Sequence, residues 1–80
     1  MKQKIVYAVQ LKAQELTEAH KIKNFKRIAE RIGYSGVNPS YPYCYVLFDT
    51  RPKQMQAYDE LSTIFTHCKV VKNEAYIDVK

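Results

Sequence analysis

The chain has 80 residues, 46% hydrophobic and 26% charged, with two glycines and no low-complexity run, which excludes disordered and fibrous classes. This is one domain, 1–80, of a size that buries only ~60–65% of its unfolded surface and gains from self-association. Its apolar runs are far too short to cross a bilayer, its basic start leads into a strand rather than a signal-peptide core, and two cysteines are too few for a disulfide framework. The expectation is a cytoplasmic protein with no membrane partner.

The net charge of +5 is unevenly placed. Residues 1–33 hold eight Lys/Arg against three acids, whereas residues 34–80 hold five of each. All the excess positive charge therefore lies in the first strand and helix. Such an asymmetry points to an anionic partner or serves solubility alone.

Ile5-Val6-Tyr7-Ala8-Val9-Gln10-Leu11 is apolar at nearly every position and reads as a central strand. A helix follows, with Thr17 as N-cap, Glu18 in the first turn and Gly33 just past its end. Ile22, Phe25, Ile28, Ala29 and Ile32 fall within a sector of about 120° and form its core stripe. The opposite face carries Lys23, Arg27 and Arg31 with His20 and Asn24 beside them, either a basic binding surface or a solvated helix face.

Residues 34–40 are rich in turn formers and can supply only a short or irregular edge strand. Residues 43–49 alternate with both faces apolar: Cys44, Val46 and Phe48 on one, Tyr43, Tyr45 and Leu47 on the other. Thr50 can cap a second helix with Pro52 in its first turn and a core face of Tyr58, Leu61, Ile64 and Phe65, extended by Met55 and Ala57. Finally, 68–71 and 75–79 are strand-like about Lys72-Asn73, forming a small hairpin or one bulged strand.

The order β-α-(β)-β-α-β predicts an α+β domain, a ferredoxin-like split βαβ sandwich whose antiparallel sheet carries both helices on one face. The other face is open. If Val6 and Ala8 pack under the helices, Tyr7 joins Tyr43 and Tyr45 on that open face. Tyr76 is a fourth member if Ala75, Ile77 and Val79 look inward.

Tyr43-Cys44-Tyr45-Val46-Leu47-Phe48 and Val6-Tyr7-Ala8-Val9-Gln10-Leu11 resemble the two sheet motifs of the RNA recognition motif family. The chain departs from that family at Tyr41-Pro42, where it has Lys/Arg-Gly, and at Gln10, where it has Asn. The resemblance implies base stacking on Tyr7, Tyr43 and Tyr45, with lysines holding phosphates. Against that use, the Lys23/Arg27/Arg31 stripe points away from the open face, and Glu74 and Asp78 are expected to share it with Tyr76.

The sequence thus favours a non-enzymatic module using Tyr7, Tyr43, Tyr45, Leu47 and Tyr76 for contact with a protein partner or in a homodimer. An accessory or inhibitor role, such as a mobile genetic element would carry, suits its size. Single-stranded RNA or DNA is the alternative occupant. Asp49 and His67 lie near strand ends with no nucleophile placed to use them, and Gly33 and Gly36 cannot build a phosphate loop. No metal or cofactor is expected, because Cys44, Cys68, His67 and His20 contain no close ligand pair of the Cys-x-x-Cys kind.

Overall fold

The computed structural model describes residues 2–79. Its elements are β1 (Lys2–Lys12), a 3-10 turn (Ala13–Thr17), α1 (Ala19–Ile32), β2 (Gly36–Ser40), β3 (Tyr43–Phe48), α2 (Arg51–Leu61), β4 (Cys68–Val70) and β5 (Ala75–Val79). They form an α+β domain: an open antiparallel sheet in the order β2-β3-β1-β4, with β5 also paired to β1.

The long β1 organises the sheet. It pairs with β3 from Tyr7↔Phe48 to Lys12↔Tyr43 along one edge. Its other edge takes β4 at Val9↔Val70 and then β5 at Val6↔Ala75. Three steps along β1 therefore face five along the partner, so β4 and β5 are one strand interrupted by a two-residue bulge, and not a hairpin. Buried Gln54 of α2 holds this bulge, its Nε2 donating to the carbonyls of Ala8 (2.7 Å) and Val71 (3.1 Å).

Directly opposed residues share a face, so the register divides the sheet cleanly. Val9, Leu11, Val46 and Phe48 pack against Phe25, Ile28, Ala29 and Ile32 of α1 and Ala57 and Leu61 of α2, with Phe65 beyond it. This is the main core. Val6, Ala8 and Leu47 form a separate cluster on the opposite face, flanked by Tyr45, Val71, Ala75 and Ile77, with no helix over it.

Local signals explain the helix ends. Gly33 takes φ +91, a left-handed conformation that closes α1, and its N–H donates to the Ala29 carbonyl at 2.9 Å. Thr50 Oγ1 accepts from the N–H of Lys53, capping α2. Thr17 is not the cap of α1: its hydroxyl donates to the Gln14 carbonyl, closing the 3-10 turn, and α1 starts after Glu18. Met55 is exposed rather than core, because the buried row of α2 runs through Gln54, Ala57 and Leu61 and leaves Met55 about 100° off it.

Candidate binding face

The uncovered face of the sheet is built from β1 residues of even number. Along β1 it reads Lys2, Lys4, Val6, Ala8, Gln10, Lys12, with apolar side chains in the middle and lysines at both ends. Opposite these stand Tyr43, Tyr45 and Leu47 on β3, Lys69 on β4 and Ala75 and Ile77 on β5. Gly36, Asn38 and Ser40 complete it along β2. Ala8, Asn38, Tyr45, Leu47, Val71 and Ala75 line a shallow, mainly apolar hollow of about 300 Å³.

A polar row adjoins the hollow. Gln10 Nε2 donates to Tyr45 Oη at 3.0 Å, and His67 Nε2 donates to Gln10 Oε1 at 2.8 Å. The His67 ring stacks on Tyr43 with centroids 5.3 Å apart. Because Tyr45 Oη accepts from Gln10, its own hydrogen is free to point outward. Lys12 lies across from Tyr43 and Lys69 across from Gln10, both exposed and neither ion-paired among the described residues.

His67 owes its place to Glu15, a buried carboxylate in the 3-10 turn. Glu15 accepts from the N–H groups of Thr66 (2.9 Å) and His67 (3.2 Å), from the Thr66 hydroxyl (2.9 Å) and from Lys21 Nζ (2.8 Å). Burial alone would raise its pKa, but these donors outweigh that and hold it at about 2. Lys21, shared with Glu18 at 3.1 Å, is pushed upward in return. The clasp fixes the segment leading into β4.

Two of the tyrosines expected on this face are elsewhere. Tyr7 is opposite Phe48 and therefore lies on the helix side, where Arg51 at the start of α2 sits 4.6 Å over its ring. Arg51 also donates to Gln54 Oε1 at 3.0 Å, so Tyr7 supports the residue that holds the bulge. Tyr76 is opposite Ile5, on the Tyr7 side, and 58% exposed. The reason is phase: Val9 and Leu11, not Val6 and Ala8, pack under the helices. Asp78, opposite Gln3, leaves the open face with Tyr76, so the paired positions of that face carry no carboxylate. Tyr43, Tyr45 and Leu47 stand where the sequence placed them.

The basic helix surface is less free than its spacing suggests. Arg31 is paired with Glu60 of α2, and Arg27 donates to Asn24 Oδ1 at 3.1 Å. Lys23 and His20 are exposed on α1. The positive positions that adjoin the sheet face are Lys2, Lys4, Lys12 and Lys69 instead. Residue parity in β1 puts Lys2, Lys4, Gln10 and Lys12 on one face, whereas Lys69 needs the register of β4.

Cys44 and Cys68 flank Leu11 from the strands on either side of β1. They are thus two strand spacings, about 10 Å, apart and beyond bridging distance. Burial raises both thiol pKa values, and with the nearby Glu15 charge it takes Cys68 to about 11. Neither is a ready nucleophile. His67, on the open face, is separated from both by the sheet, and no metal-holding group of three ligands occurs among the described residues. Among the described residues no helix is long and apolar enough to cross a membrane. Comparisons with family models, curated proteins and solved structures give no match for this chain.

Proposed function

We propose that the protein is a non-enzymatic binding module whose uncovered sheet face contacts another protein, in an accessory or inhibitory role. The observation that carries this reading is the apolar hollow, ringed by half-buried Tyr45, Val71 and Ala75, on a face no helix covers. The chain order and the strand order β2-β3-β1-β4 support a ferredoxin-like arrangement, a fold that hosts many functions and selects none. The unpaired thiols suit a reducing compartment, and the cytoplasm is the setting we propose.

Single-stranded nucleic acid is the second reading, favoured by the four lysines on the tyrosine face. It is the weaker one because base stacking is left with Tyr43 and Tyr45 only. One ring face of Tyr43 is already covered by His67, and the centre of the surface is aliphatic.

A random single-stranded RNA, titrated across a salt series, separates the two. The wild type is expected to show only weak binding that vanishes with salt and is unchanged in Tyr43→Ala/Tyr45→Ala. Binding that persists at moderate salt and is lost in the double variant would establish the nucleic-acid reading instead.

A further inference from the structure

We infer that the occupant of this face is an acidic extended protein segment carrying one apolar anchor residue, and not a second copy of the chain. This rests on the protein-contact reading above. The apolar stretch of β1, Val6 and Ala8, lies between Lys4 on one side and Gln10 and Lys12 on the other. Lys4 and Lys12 are eight residues apart, or about 26 Å at strand rise. The hollow beside Ala8 and Leu47 takes the anchor, while cations wait at both ends for carboxylates about four residues to either side.

The charged groups agree in sign. Gln10 Oε1 is occupied by His67 and Tyr45 Oη accepts from Gln10, so the Tyr45 hydroxyl hydrogen and the ammonium groups of Lys12 and Lys69 face a partner, beside Asn38 and Ser40, whose side chains both donate and accept. Donors outnumber acceptors and the only charged groups among the paired positions of this face are cations, which favours an acceptor-rich partner. A second copy docked about a two-fold axis would bring two sets of Lys2, Lys4, Lys12 and Lys69 into one interface, with no carboxylate at the paired positions of this face and with Asp49, which lies near Lys4, already held by Lys53. The face therefore resists its own copy while attracting a negative chain.

Panning a displayed random dodecapeptide library against the wild type tests this. Expected binders carry a single large apolar residue flanked by Asp or Glu. They lose affinity in Ala75→Arg, which fills the hollow, and weaken about tenfold or more in Lys4→Glu/Lys12→Glu, with both variants keeping the wild-type circular dichroism. Binders that need Ala75 but lack acidic enrichment, or that ignore the charge reversal, overturn the acidic segment while leaving protein contact standing. A wild-type dimer that Ala75→Arg converts to monomer likewise overturns it in favour of self-association. A failed selection, with salt-resistant RNA binding through Tyr43 and Tyr45, sinks both readings.

Discussion

The two faces of the sheet are made from the same kind of strand, and they have been used in opposite ways. On the helix side the large groups beneath the helices are answered, Phe48 and Leu11 by the helices, Tyr7 by Arg51 and Gln54 by two backbone carbonyls, while Ile5, Val37 and Tyr76 stay exposed at its margins. On the open side Val6, Ala8 and Leu47 are buried only by their neighbours along the sheet, and the tyrosine and lysine donors look outward. Apolar alternation on both faces of a strand thus indicates two surfaces to be covered. It leaves open which of them the protein covers itself.

The widest separation between the faces comes from truncating a large side chain on each. Phe48→Ala empties a fully buried site in the main core and is expected to cost about 3–5 kcal/mol, enough to unfold much of an 80-residue domain. Tyr43→Ala/Tyr45→Ala removes more atoms, yet both side chains are only half-buried, and about 1–2 kcal/mol is expected. Urea denaturation of the two variants measures the contrast. Equal losses would mean that the open face is a structural core in its own right.

The clasp that links the faces is the next largest effect. Glu15 has a folded pKa of about 2 against an unfolded value of about 4.3, so between these values the unfolded chain binds the extra proton. Its stabilisation is complete above pH ~4.5 and is lost as pH falls toward 2, about 3 kcal/mol in all by that difference. Glu15→Gln should lower stability at pH 7 and flatten this acid limb. Asp49, lowered by its partner Lys53, adds to the slope in the same direction. Tryptophan is absent, so the Tyr43–His67 stack makes near-ultraviolet tyrosine dichroism the local probe of the clasp. An unchanged acid limb in Glu15→Gln would remove Glu15 from that role.

Element order, the core stripe of α1, the Gly33 stop and the facing of Tyr43, Tyr45 and Leu47 were all legible in the residues. Each rests on local rules that tertiary context did not override. The phase of β1 was legible too, in the wholly apolar odd set Ile5, Tyr7, Val9, Leu11 against the mixed even set that includes Lys4, Gln10 and Lys12. Reading Val6 and Ala8 as core misplaced Tyr7, and with it half of the base-stacking argument. The roles of Glu15, Gln54 and His67 were not legible. Each depends on partners 17 to 57 residues away in sequence, and no spacing rule brings those together.

The finest test of the comparison removes one oxygen from each face. Tyr7→Phe keeps the ring beneath Arg51, so stability and peptide binding are both expected to stay at wild-type values. Tyr45→Phe frees Gln10 Nε2, which water can satisfy at a half-buried site, and stability should fall by less than about 1 kcal/mol. Peptide affinity is a different matter, because the lost hydroxyl is the donor beside the hollow. A three- to tenfold weakening, roughly the worth of one hydrogen bond, is expected for acidic binders recovered by selection. The readout is the ratio of affinities of the two variants for the same peptide. If Tyr7→Phe weakens binding and Tyr45→Phe does not, the functional surface is the Tyr7–Tyr76 side of β1, and the face with the hollow is merely a second core.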